Sequence, residues 1–353
     1  MSKFLSKRLS ALEAYIPGEQ PQDKRYIKLN TNENPYPPRH TIADKMDCTD
    51  VENLKLYSDP DCRALTKKAA EVYNVSEKNI VFGNGSDEIL SFCFTAFCDK
   101  DTPAVFPDIT YGFYKVFAQL CCVDCKQISL TKDFTINADD YKNAGGTIFI
   151  ANPNAPTGLA LTTTQIEEIL KSNTDNIVVI DEAYVDFGAS SAVGLINKYD
   201  NLIVVQTFSK SRSLAGARLG MAITCEALAN DLQKIRCSNN PYNINRLTQK
   251  IAYEVLCDEE YFKQCCEKIK KSRTFLTAGL ISLGFEVLPS CTNFVFAKHK
   301  EISGENFYAA LKEKGILVRH FKQERICEYN RITVGTDTEV KSLLRAAAEI
   351  LGR

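Results

Sequence analysis

The chain has 353 residues, a formal net charge of −1 and 44% apolar residues. That is enough for two domains, or one large core with a smaller companion, and too apolar for disorder. Near-neutrality gives no electrostatic case for a nucleic-acid or membrane partner, and no apolar run approaches the ~18 residues of a membrane span.

Fourteen cysteines, without a regular framework or a secretory leader, read as reduced thiols in a cytoplasmic protein, most of them small buried hydrophobes. Cys122 and Cys125 form one C-x-x-C with no second pair at zinc spacing, so no metal is expected.

In chain order, Leu5, Leu9 and Leu12 share one helical face and predict an amphipathic starter helix packed on the body. Strand-like runs follow at Ile80–Phe82, Ala104–Phe106, Thr147–Ile150, Ile177–Asp181, Leu202–Thr207 and Gly220–Thr224. Helical patterns fit between or after them at 86–97, 112–120, 163–171 and 227–236. Continuous apolar strands separated by helices predict a mostly parallel sheet covered on both faces. Past residue 245 the character changes: long helical patterns from Arg246 to Leu283, strands at Asn293–Ala297 and Arg331–Val334, and a final helix. That helix is announced by the capping box Thr336/Glu339 and a stripe of Val340, Leu343, Leu344, Ala347 and Leu351. This predicts a second, α+β domain.

Four segments carry chemistry. Asp181 ends an apolar strand in NIVVIDEAY (176–184), where α/β sheets bind ligands, and its carboxylate suits a buried cation. Taken alone, a strand-end aspartate is as well explained as a helix cap. TFSKSRSLAGARLG (207–220) offers Lys210 as an amine nucleophile, with Arg218 eight residues on as a phosphate fork; taken alone, a lysine is a solvated surface residue. IFIANPNAPTG (148–158) runs a strand into a turn that presents Asn152 as a donor. VFGNGSDEIL (81–90) has Gly83, Gly85 and Ser86 opening a helix whose N-terminus is an anion site.

In this order and spacing (Asn152, then Asp181 29 residues on, then Lys210 another 29 on, then Arg218) the chain resembles the fold type I pyridoxal-5′-phosphate (PLP) dependent aminotransferases over nearly its whole length. YIPGEQP (15–21), KLNTNENPYPP (28–38), LYSDPD (56–61), PYNIN (241–245) and RITVGT (331–336) are most similar to the members that act on histidinol phosphate. Ala155 in place of the usual Asn, Ser211-Arg212-Ser213 after the lysine, and Asp108-Ile109 before Tyr111 depart from the pattern.

The resemblance implies an α/β fold: a large PLP-binding domain (41–244) with a mostly parallel seven-stranded sheet, a small α+β domain (245–353), and a segment 1–40 packing with the small domain and a dimer partner. It implies PLP held by Lys210, with Asp181 at the pyridine nitrogen, Asn152 and Tyr184 at the phenolic oxygen, and Tyr111 on the ring face. Gly85, Ser86, Asp87, Thr207, Ser209 and Arg218 would hold the phosphate, joined by Tyr57 of the neighbouring subunit of a homodimer. Arg331, Arg319, Tyr15 and Asn32 would meet the substrates, histidinol phosphate and glutamate or 2-oxoglutarate. Transamination of aromatic amino acids, decarboxylation of a phosphorylated amino acid and a non-catalytic binding homologue stand as alternatives.

Overall fold

The computed structural model describes residues 4–10 and 12–353. A two-residue β1 (Ile27–Lys28) precedes α1 (Cys48–Glu52) and α2 (Arg63–Tyr73). There follow β2 (Ile80–Gly83), α3 (Ser86–Phe97), β3 (Ala104–Pro107), α4 (Phe113–Cys121), β4 (Cys125–Ile128), β5 (Thr147–Ala151), α5 (Thr163–Lys171), β6 (Val178–Asp181), β7 (Leu202–Thr207), β8 (Gly220–Thr224) and α6 (Glu226–Asn239). The last stretch is α7 (Arg246–Cys257), α8 (Glu259–Ser282), β9 (Phe285–Val287), β10 (Phe294–His299), α9 (Gly304–Glu313), β11 (Ile316–Leu317), β12 (Arg319–His320), β13 (Asn330–Thr333) and α10 (Asp337–Ile350).

Seven strands form one sheet in the order β2-β8-β7-β6-β5-β3-β4. It is parallel from β7 through β4, while β8 runs antiparallel to both β7 and β2. The reversal follows from the connection: β7 returns into β8 through the loop 208–219 without a crossover helix, and antiparallel neighbours need none. Successive residues of β6 and β7 enter different cores. Val178, Ile180 and Val204 pack on one face, and Val179, Ile203 and Val205 on the other. Burial on both faces is why these strands read as unbroken apolar runs.

A four-stranded antiparallel sheet, β12-β13-β10-β9, carries the second core with α8, α9 and α10. The N-terminal segment joins this part: β1 pairs in parallel with β11, and Leu29 sits in its core.

Two expectations are corrected. Over the described residues of the N-terminal stretch a single 3-10 turn, Lys7–Leu9, replaces the starter helix, and Leu5 is exposed. An isolated helix this short is marginal in water without a partner for its apolar face. Ala252, Val255 and Leu256 of α7 pack into the large core. Most cysteines are not buried: Cys62, Cys93, Cys98, Cys265 and Cys266 are, and the rest are intermediate or exposed.

Candidate active site

The strand ends converge by register. Ala151 pairs with Asp181, Asp181 with Val205, Thr207 with Gly220, and Gly220 with Gly83. Gly220 is a requirement here: a Cβ on it would stand 2.3 Å from the backbone nitrogen of Ser86 and 2.5 Å from the carbonyl carbon of Gly85. With hydrogen in that place, the N-terminus of α3 settles onto the sheet edge. Gly85, at φ +83°, turns the chain into the helix.

A cavity of about 110 Å³ opens at these ends, bordered by Ser86, Asp87, Tyr111, Asp181, Tyr184, Thr207, Ser209, Lys210 and Arg218. At one end, α3 presents its N-terminal amides, and the Arg218 guanidinium lies 3.1 Å from Asp87 Oδ2 and 3.5 Å from Ser209 Oγ. Arg218 holds a left-handed backbone at φ +54°, a conformation that costs an L-residue about 1–2 kcal/mol and that a packed site over-determines. Donors and dipole together make this end an anion cradle.

At the other end lies Asp181. Burial pushes its carboxyl up to about 6, against the hydroxyl of Tyr114 at 3.0 Å and the amide of Ala183 at 3.2 Å, which both favour the charged form. Tyr114 was missed by the sequence reading. Its only trace there is its place three residues after Tyr111, in the first turn of α4, with Tyr111 just ahead of that helix. The rings meet edge-on at 5.7 Å, and Tyr111 donates to Asp87 Oδ1 at 2.6 Å.

Lys210 borders the same cavity. Burial first, and then the charge of Arg331, depress its amine to about 8, while Glu33 and Asp87 act to raise it. The amine donates to the carbonyl of Thr31 at 2.9 Å. Lowering of this size makes the free base available near neutrality.

The remaining expected residues divide. Tyr184 is buried, with its hydroxyl accepting from Asn32 Nδ2 at 2.9 Å. Asn32 itself is 1% exposed, and its side-chain oxygen accepts from Thr333, so it supports Tyr184 rather than lining the cavity. Asn152 is also buried, its carboxamide turned to the main chain of Leu161. Arg331 sits close by: NH2 donates to the carbonyl of Asn30 at 3.1 Å, and its Nε is buried without a hydrogen-bond partner. The titratable groups that act on Arg331 are Tyr184, Tyr15, Arg319 and Tyr111, none of them a carboxylate, and burial lowers its pKa. An enclosed guanidinium left this way is a site for an anion.

Arg319 donates to the carbonyls of Ile16 and Pro17, both at 3.2 Å, and so ties down the segment carrying Tyr15. The Tyr15 ring lies 4.4 Å from Phe113 and 6.4 Å from Tyr111. Tyr57 does not border the cavity of its own chain; it is 77% exposed and stacks on Tyr242.

A lysine of depressed pKa, a buried carboxylate and an anion cradle border one cavity at the strand ends of a mostly parallel sheet, and the class follows: the chain belongs to the class I and II aminotransferases, a family it matches over residues 24–346. It is 52% identical over 341 residues to the histidinol-phosphate aminotransferase of Brachyspira hyodysenteriae, covering 96% of each chain. It is 43% identical over 353 residues to that of Clostridium botulinum, covering both in full. In fold it resembles the histidinol-phosphate aminotransferase of Sinorhizobium meliloti solved in complex with pyridoxal 5′-phosphate, with a TM-score of 0.85, 23% identity, and coverage of 93% and 92% of the two chains.

Proposed function

We propose that this chain transfers an amino group between histidinol phosphate and 2-oxoglutarate, giving imidazole acetol phosphate and glutamate, with pyridoxal 5′-phosphate held by Lys210. The observation that carries the reading is the pairing of Lys210 and Asp181 in one cavity, the amine depressed to about 8 and the carboxyl raised to about 6. The names borne by full-length relatives at 52% and 43% identity supply the substrate.

The residues present fit the cofactor. Asp181 is a buried carboxylate whose two hydrogen-bond partners are a hydroxyl and an amide, which leaves it short of the cation that a protonated pyridine nitrogen provides. The cradle of α3, Thr207, Ser209 and Arg218 suits its phosphate. When bound, the cofactor supplies an electron-withdrawing ring that stabilises negative charge at the donor's α-carbon.

Asp181 keeps the proton on the ring nitrogen. Tyr111 would cover a ring face and Tyr184 would serve the phenolic oxygen, whereas Asn152, whose carboxamide bonds Leu161, would reach that oxygen only by turning from the main chain. Lys210, once released, takes the proton from the donor's α-carbon as general base. Arg331 with Arg319 receives the substrate's anionic end, beside Tyr15.

The functional unit is a cytoplasmic homodimer with shared sites. Val51, Leu54, Leu56 and Tyr57 form an exposed apolar group of the kind a second copy covers, with Tyr57 completing the neighbour's phosphate cradle. Mixing inactive Tyr57→Phe and Lys210→Ala subunits should restore activity in the verified heterodimer; no recovery would rule sharing out.

The test of the activity is single-turnover absorbance. Histidinol phosphate should convert the bound cofactor to its amino form, and borohydride should first trap a pyridoxyl group on Lys210. Trapping on another lysine, a stronger response to phenylalanine, or release of carbon dioxide would overturn the reading.

A further inference from the structure

One short loop touches three of the groups proposed to act in the site, Lys210, Tyr184 and Arg331. The carbonyl of Asn30 accepts from Arg331, that of Thr31 accepts from Lys210, the side chain of Asn32 donates to Tyr184, and the side chain of Asn34 donates to the carbonyl of Ser211, next to Lys210. Three of its bonds come from groups the chemistry does not otherwise use. Thr31 Oγ1 donates to Glu33 Oε2, Lys28 Nζ donates to Thr31 Oγ1 at 2.7 Å, and Lys28 also pairs with Glu33. The triangle is partly buried and closes on itself, so each member fixes the other two. Thr31 is the member whose own carbonyl faces the lysine.

We propose that Glu33 and Lys28 are positioning residues for the lysine: with the Thr31 hydroxyl they hold the Thr31 carbonyl as the docking point for the Lys210 amine whenever that nitrogen is not covalently engaged. This rests on the transaminase reading. A base that takes a proton from one atom and delivers it to another must stay within reach of both. A long flexible lysine released into the cavity would otherwise sample many rotamers, at a cost in the fraction of time spent in place. Thr31 gives it one address. Lys210 Nζ also faces Arg331 from β13, Asp87 and Arg218 around the cradle, Asp181 at the end of β6, and the Tyr184 ring at 5.8 Å. Glu33 is among the acids that favour its charged form, so the triangle sets both where the amine rests and how readily it holds a proton.

The apoenzyme gives a readout independent of turnover. Lys210 acylation by acetic anhydride is followed against pH by peptide mass spectrometry in wild type, Glu33→Gln and Thr31→Val. Freed from its dock and from the Glu33 charge, Lys210 should acylate roughly threefold faster at neutral pH in Glu33→Gln, the effect of about half a pKa unit. Thr31→Val should move in the same direction, and Thr31→Ser, which keeps the hydroxyl, should label close to wild type. In holoenzyme both impaired variants should slow the donor half-reaction by about tenfold while donor affinity changes less than about twofold. The double variant should be no slower than the worse single one, because both break one clamp. Superimposable acylation profiles in wild type, Glu33→Gln and Thr31→Val overturn the proposal, even if turnover falls. Wild type that traps no pyridoxyl group on Lys210 fails the transaminase reading instead, which separates the two.

Discussion

Arg319 and Arg331 stand directly opposite each other in register across β12 and β13. Cross-strand partners are close neighbours, and like charges there repel. Two guanidiniums in this relation are relieved by an anion that both can reach. A phosphate monoester carries between one and two negative charges near neutrality, more than one guanidinium offsets. Arg331→Ala should therefore cost about 2–5 kcal/mol for either substrate, or roughly 30-fold to several thousandfold in half-reaction efficiency. Arg319→Ala should slow histidinol phosphate more than glutamate. Equal slowing of both donors by Arg319→Ala would reduce Arg319 to its tie on Ile16 and Pro17.

Asp181 links chemistry to stability. Its carboxyl is raised from 3.8 to about 6 by burial. The folded apoenzyme therefore binds a proton there more tightly than the unfolded chain does. That stabilisation is complete below about pH 4 and is lost as pH rises through 6, amounting to about 2–3 kcal/mol. Asp181→Asn, neutral throughout, escapes the loss. In thermal melts of apoenzyme its margin over wild type should grow from pH 5 to pH 7.5. The same variant should lose at least tenfold in turnover, since an amide cannot retain the ring proton. A margin that does not change with pH would contradict the burial of a titrating carboxyl.

Gly220→Ala tests the close approach of α3 to the sheet. The added carbon meets backbone rather than a flexible side chain, so the helix start must move. Overpacking of this kind costs about 1–3 kcal/mol, and the displaced amides should weaken cofactor affinity as well, measured by titration of the apoenzyme. An unchanged affinity would detach the helix N-terminus from phosphate binding.

The large sheet was legible because burial on both faces leaves an unmistakable trace. The helix at Ser86–Phe97 and the strands Leu202–Thr207 and Gly220–Thr224 fall on the residues expected. The edge strand Cys125–Ile128 was not seen, since its exposed residues carry no apolar run. Lys210, Asp181 and Arg218 stood out as motifs with a chemical reason. Tyr114 and Gly220 did not: one acts by a hydrogen bond from inside a helix, the other by lacking a side chain, and neither has a pattern along the chain. Asn32 was expected at the substrate, yet its contacts across 152 positions to Tyr184 and 301 to Thr333 depend wholly on the fold.

The strand pairing at Leu29 has a consequence in time. Its amide donates to the carbonyl of Leu317, and its carbonyl accepts from the amide of Thr333, while Arg331 reaches the carbonyl of Asn30 from 301 positions away. Contacts so distant form late, because a long loop must close before they reward it. On the ribosome, where early segments fold first, the sheet bearing Lys210 is complete at residue 224, well before Arg331 of β13 emerges. The residues around Leu29 must wait for partners made about 300 positions later. The nascent chain can thus own its nucleophile well before it has a closed room in which to use it.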